Sequence, residues 1–198
     1  MGDWDCDGIA TPGLYRQADG FAYLRNSNTQ GIADIRFFFG NPGDFPIAGD
    51  FDGDGCDTLG IYRAPEARWY IINQLGQNDG GLGAADFSYL FGDVGDVPFV
   101  GDWNGDGIDT PGLRRFSNGF VYVRNTNSQG NADLAWFYGD NGDHVFTGDF
   151  NDDNIDSIGL FRPSNSTVYL RNSLSTGNAD TQFPLGNPNS LPVAGRLN

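Results

Sequence analysis

The sequence predicts an all-β protein built from four repeated sheets. Three observations carry this: a motif recurring at sheet-sized spacing, four short strand patterns in each repeat, and a composition suited to strands and turns. The motif reads GDWDCDGIATPGLYR from Gly2, GDFDGDGCDTLGIYR from Gly49, GDWNGDGIDTPGLRR from Gly101 and GDFNDDNIDSIGLFR from Gly148. Its spacings are 47, 52 and 47 residues, and a truncated fifth start, PVAGRLN, puts Gly195 another 47 residues on. Aromatics make up 14% of the chain and glycine 30 residues, a balance that favours pleated strands joined by tight turns.

Within the first repeat the strand patterns are PGLYR (12–16), FAYLRNS (21–27), DIRFFFG (34–40) and PIAGDF (46–51), separated by Gly, Asn, Pro and Asp clusters. Tyr recurs in the second strand as Tyr23, Tyr70, Tyr122 and Tyr169, and an aromatic recurs in the third as Phe37, Tyr89, Trp136 and Phe183. Recurrence in every copy reads as a packing layer between neighbouring sheets. Four strands in about 47 residues is the size of a propeller blade. A β-solenoid would need shorter rungs, and a sandwich would not repeat so faithfully. The expectation is therefore a β-propeller of four four-stranded blades, with repeats 2–48, 49–100, 101–147 and 148–194 forming one domain over 1–198. The five extra residues of the second repeat fall in QLGQNDGGLGAA (74–85), which reads as a surface loop.

The chain ends complete the pattern. Only Gly2, Asp3 and Trp4 remain of a strand leading into the first motif, whereas the C-terminal segment 192–198 matches PIAGDFD (46–52). That segment is expected to close the first blade and remove its exposed edge, with Arg196 in the register of a loop aspartate. A closed monomer is favoured, and a homodimeric eight-bladed ring is the alternative.

The charge narrows the function. All 11 basic residues are Arg, the acidic set is 25 Asp with Glu66 alone (26 − 1 = 25), and the net charge is −15. This argues against nucleic acid, which demands clustered cations, and against anionic membrane surfaces. No run of 18 apolar residues is present to span a bilayer. Met1 leads directly into the first motif, as expected for a domain of a longer precursor. Cys6 and Cys56 are too few for a disulfide framework or a zinc site and occupy different places in their repeats, so they read as incidental substitutions.

Asp is concentrated in one loop per repeat. Counted from its first Asp, the second loop has Asp50, Asp52 and Asp54 at positions one, three and five, Gly55 at six and Cys56 at seven. Alternate side chains turn inward as the chain wraps a small sphere, and Ca²⁺ takes six to eight hard oxygens, one from a position-seven carbonyl. The corresponding sets are Asp3, Asp5, Asp7 and Ile9; Asp102, Asn104, Asp106 and Ile108; and Asp149, Asn151, Asp153 and Ile155. An EF-hand is excluded, because it needs a Glu at position twelve and flanking helices, and position twelve is Leu14, Ile61, Leu113 or Leu160 on a strand. A metal-free Asx-rich turn is the competing reading. Four loops in register count against it, since crowded carboxylates repel one another without a cation.

The motif DxDGDGxD before a short strand, repeated at blade spacing, resembles the FG-GAP/VCBS repeats of integrin-type propellers. It is also similar to the repeats of calcium-containing propeller lectins. The resemblance implies Ca²⁺ ligands at positions one, three, five and seven. It also implies an Asp at position nine, where this chain has Thr11, Thr58, Thr110 and Ser157. Asp57, Asp109 and Asp156 stand one place earlier, beside Ala10 in the first loop. The last ligand is thus a hydroxyl, a water or the shifted carboxylate. Alternatively, the shifted Asp pairs with the Arg after the strand (Arg16, Arg63, Arg115, Arg162).

Other residues give weaker signals. Arg25, Arg124 and Arg171 are expected to pair across the hairpin with Asp34, Asp133 and Asp180. His144, the only histidine, has no nucleophile motif around it, so no catalytic residue is assigned and the chain is read as a non-enzyme. Trp69 has Ala22, Val121 and Val168 as counterparts, which makes it a candidate sugar-stacking platform, with local packing as the other reading. The function expected is a calcium-stabilised, secreted or cell-surface binding module of the lectin type. The alternative is a structural or adhesion scaffold for protein partners.

Overall fold

The computed structural model describes residues 1–76 and 84–195; the tip of the expected surface loop (77–83) and Arg196 lie outside the described residues. The fold is all-β, that of a four-bladed β-propeller, with one short 3-10 turn at Ala64–Glu66. The chain divides into two compact units, Met1–Val94 with the C-terminal end and Gly95–Ala194, each containing two antiparallel sheets.

In the first unit, β1 (Gly13–Arg16), β2 (Phe21–Leu24) and β3 (Ile35–Phe38) form a three-stranded sheet in that order. The second sheet follows as β4 (Phe45–Gly49), β5 (Thr58–Arg63), β6 (Arg68–Ile71) and β7 (Phe87–Leu90). In the second unit, β8 (Val97–Gly101), β9 (Thr110–Arg115), β10 (Phe120–Val123) and β11 (Leu134–Phe137) form one sheet. Its other sheet contains β12 (His144–Gly148), β13 (Ser157–Arg162), β14 (Thr167–Arg171) and β15 (Thr181–Pro184). Each four-stranded sheet takes its first strand from the end of one sequence repeat and the other three from the next. The Asp-rich loop is therefore the hairpin connection inside a sheet.

The lead strand and the strand after it interlock by size. Gly60, Gly112 and Gly159 pair with Ile47, Phe99 and Phe146 across the ladder. A β-carbon at those glycines would lie 2.7, 2.1 and 2.3 Å from those side chains. The large lead-strand residue lies over the bare glycine, and this explains the recurrent Gly of the TPGL-type segment. Lead strands are also pinned by ion pairs at the end opposite the loop. Arg63, Arg115 and Arg162 donate through Nε and Nη2 to Asp44, Asp96 and Asp143, each of which is buried. The expected pairing of these arginines with the position-eight aspartates is thereby corrected. In the fourth repeat Ser190 replaces the acid, and Arg16 pairs instead with exposed Asp19 at 3.1 Å.

Among the described residues the first sheet has no lead strand; Gly2 makes only an isolated bridge with Thr11. Leu14 is consequently 73% exposed, while its counterparts Ile61, Leu113 and Leu160 are fully buried. Of the expected closing segment, residues 192–195 form no strand, although a β-carbon at Gly195 would lie 2.8 Å from that of Ala10.

Each unit has its own core. Trp4, Leu24, Phe37, Phe39, Leu59 and Ile61 anchor the first, and Phe99, Trp103, Val121, Trp136, Ile158 and Leu160 the second. Phe37, Tyr89 and Trp136 are buried as expected of the third-strand aromatics, whereas Phe183 is half-exposed. The recurrent second-strand tyrosines do something more specific. Tyr23, Tyr70, Tyr122 and Tyr169 each lie beneath the guanidinium of Arg16, Arg63, Arg115 or Arg162, at 4.6–4.8 Å from the ring centre.

Candidate cation-binding loops

Four loops share one geometry. Positions four and six both adopt left-handed backbone. Position four is Cys6, Gly53, Gly105 or Asp152 (φ 64, 77, 74 and 59), and position six is Gly8, Gly55, Gly107 or Asn154 (φ 84, 87, 83 and 64). Such φ values favour Gly and tolerate Asn and Asp, which accounts for most of the residues found there. Position two points the other way, into the core. Trp4 and Trp103 are buried and donate their indole N–H to the carbonyls of Thr11 and Thr110, which anchors the loop base.

These turns gather backbone N–H groups around the position-one carboxylate. Asp50 accepts from the amides of Gly53 and Asp54 on Oδ1 and of Gly55 on Oδ2, at 2.7–3.2 Å. Asp3, Asp102 and Asp149 are held in the same way. Oδ1 of position five accepts the amide of position seven in all four loops, fixing the peptide whose neighbouring carbonyl is the expected ligand. In the first two loops the carboxylates of positions one, three and five (Asp3, Asp5, Asp7; Asp50, Asp52, Asp54) have oxygens within 4.8 Å of one another. In the other two, Asn104 and Asn151 donate their side-chain amides to Asp106 and Asp153 at 2.9 Å.

The electrostatics follow from this crowding. Burial, together with repulsion from Asp54 and Asp50, raises the Asp52 carboxyl above its ordinary pKa. Asp149 moves down: burial pushes it up, but the amides of Asn154, Asn151, Asp153 and Asp152 outweigh it. An all-oxygen donor set with converging carboxylates, its first member fixed by backbone amides, fits a hard divalent cation of the size of Ca²⁺. A cation there would relieve the repulsion.

Positions eight and nine serve other ends. The hydroxyls of Thr11, Thr110 and Ser157 donate to the carbonyls of Gly2, Gly101 and Gly148, and Thr58 donates to Ile72, so all four turn towards the sheet. Asp57 Oδ2 accepts the amide of Asp3 at 2.7 Å while its own amide donates to the Asp3 carbonyl. Asp156 treats Asp102 identically, at 3.1 and 2.7 Å. The shifted carboxylate thus ties two successive loops together.

The cysteines correct the sequence reading: Cys6 and Cys56 form a disulfide, with Cα atoms 4.7 Å apart, linking the same two loops that Asp57 ties. The signal available was that each Cys replaces a residue type shared by other loops. Their sulfurs meet only because position four of one loop faces position seven of the next.

Two further expectations change. Arg25, Arg124 and Arg171 chiefly clamp backbone carbonyls of their own hairpin loops, those of Thr29 and Ile32, Ser128 and Asn131, and Ser175 and Asn178. Asp34, Asp133 and Asp180 accept the amides of Asn26, Asn125 and Asn172, and Arg25 also forms the expected ion pair with Asp34, at 3.6 Å. Asp86 makes the same contact with the Asn73 amide in the repeat that lacks the Arg. Trp69 is no surface platform. It is wholly buried, donates to the Phe91 carbonyl at 3.0 Å, and lies 5.1 and 6.2 Å from the rings of Tyr62 and Tyr89. Ala22, Val121 and Val168 are buried too, so the position belongs to the core in every sheet.

Fold and loops together define a four-bladed propeller with repeated acidic hairpin loops. Comparison with protein-family models finds no match, and comparison with curated proteins finds none either.

Proposed function

We propose that the chain is a calcium-stapled, non-catalytic binding module that works outside the cell. The observation that supports it best is the fourfold loop, in which backbone amides fix the first carboxylate, and in two of the loops three acids converge on a common point. Fourteen Asp lie in these loops (three, four, three and four), and four divalent ions bound there would bring the net charge from −15 to −7 (−15 + 8). The disulfide supports an oxidising compartment. The ligands at positions one, three, five and seven are completed by water, because the position-nine hydroxyls are engaged with the sheet.

For the binding partner we favour carbohydrate. In the first and third sheets Phe21 pairs with Phe38 and Phe120 with Phe137, at 5.8 and 6.4 Å between ring centres, and Phe38, Phe120 and Phe137 are half-exposed. Such ring faces suit the apolar face of a sugar. Weak single sites on separate blades act together through avidity. A glycan array run with Ca²⁺ tests this, followed by Phe137→Ala, which should weaken glycan binding and leave the melting temperature near that of the parent. An array without signal turns the reading to a protein-binding adhesion scaffold, which exposed Ile32 and Val94 favour. A monomer of 21.5 kDa in calcium is the state expected, with twice that mass marking an eight-bladed ring.

A further inference from the structure

Cys6 and Cys56 each depart from the pattern of their loops, and they depart at the two positions that touch. Position four is otherwise Gly53, Gly105 or Asp152, and position seven is otherwise Ile9, Ile108 or Ile155. Cys6 holds left-handed backbone (φ 64) that Gly105 (φ 74) adopts without cost to a side chain. The second unit shows what the same junction looks like without sulfur. There the equivalent pair is Gly105 and Ile155, and a β-carbon on Gly105 would lie 3.3 Å from Ile155 Cγ1. The flanking hydrogen bonds are the same in both units, Asp3 with Asp57 and Asp102 with Asp156.

We propose that the Cys6–Cys56 disulfide is a reducible clasp: a dithiol opens it and frees the first loop from the second, while the third and fourth loops stay as they are. A thiolate of the dithiol attacks the sulfur of Cys6, the exposed partner, and Cys56 leaves as a thiolate that takes up a proton. The second thiol of the reagent then displaces Cys6. The reagent departs as a cyclic disulfide, and two electrons and two protons have passed to the two cysteines. Once reduced, the loops keep the Asp3 and Asp57 bonds but lose their covalent link, with a β-carbon still held in the left-handed region at position four. The second unit avoids that disadvantage by carrying glycine there. Reduction therefore leaves this junction weaker than its sulfur-free equivalent.

Hydrogen exchange on the intact chain tests this and requires no cation, so it stands apart from the calcium reading. Full reduction by dithiothreitol, checked by thiol titration, should speed exchange at the amides of Asp7, Gly8 and Asp57 by about tenfold or more. The amides of Asp106, Gly107 and Asp156 should not change. The double variant Cys6→Gly/Cys56→Ile, copied from the second unit, should fold and be indifferent to dithiothreitol. The proposal is overturned if the first loop exchanges alike in both redox states, if the third and fourth loops respond equally, or if the double variant still responds to the reductant.

Discussion

Replacing Trp69 by Ala should cost the first unit its stability. The indole is completely buried, stacks on Tyr89, contacts Tyr62 and satisfies the Phe91 carbonyl. Truncating a buried Trp costs about 3–5 kcal/mol through lost contacts and the cavity left behind. The orphaned carbonyl adds about 1 kcal/mol, so the upper part of that range is expected. With a urea dependence of about 2 kcal/mol per molar, the unfolding midpoint should fall by about 2 M. Trp69→Phe keeps the ring contacts and loses the N–H, so it should lose well under half as much. Urea titration followed by circular dichroism measures both. A Trp69→Ala midpoint within 0.3 M of the parent would refute the reasoning and return Trp69 to the surface.

Removing Arg63 with Met strands the Asp44 carboxylate in the core and should cost about 3 kcal/mol, whereas Arg16→Met, which breaks an exposed pair, should leave the midpoint close to the parent's; urea midpoints compare them. Gly112→Ala forces a β-carbon to 2.1 Å from the Phe99 ring and should destabilise by about 1–3 kcal/mol, again read from the urea midpoint. Arg114 is fully buried and donates to the carbonyls of Tyr138 and Asp140, a role the hydroxyl of Tyr15 fills for Phe39. Arg114→Tyr should therefore leave the melting temperature close to the parent's, while Arg114→Ala lowers it. The Tyr15 and Tyr138 hydroxyls are both pushed up to about 12, chiefly by burial. The folded chain holds these protons more tightly than the unfolded one. Their contribution is present below pH 10 and lost as pH rises towards 12, which ultraviolet phenolate titration alongside circular dichroism should record.

Periodicity made the fold legible. Strand patterns at fixed offsets in four copies located the described strands from one template, and β15 differs only in staying exposed along its length. Position-by-position comparison likewise placed the loop aspartates. That each sheet takes its first strand from the end of the preceding repeat was legible too, because the chain start lacks that strand and 192–198 matches it. What stayed hidden depends on which repeats touch. Disulfide pairing required knowing that position four meets position seven of another loop, 50 residues away. Two misreadings did have a signal. Asp44, Asp96 and Asp143 each precede their Arg by 19 residues, a constant offset that marks a partner. The small apolar counterparts of Trp69 marked a buried column whose volume varies between blades, not an exposed face.

The measurement closest to the central claim is calcium titration of the metal-free chain, with melting followed in parallel. Four loops that bind Ca²⁺ only when folded should raise stability by about 4 kcal/mol for each site at a thousandfold excess over its Kd. The loops with three acids, around Asp3 and Asp50, should fill first. Those carrying Asn104 and Asn151 should fill later, and the last, with Asn154 at position six, should be weakest. Calorimetry should record binding of up to four ions, and the melting temperature should fall on adding EDTA. No calcium heat, and a melting curve that EDTA leaves in place, would overturn the calcium reading.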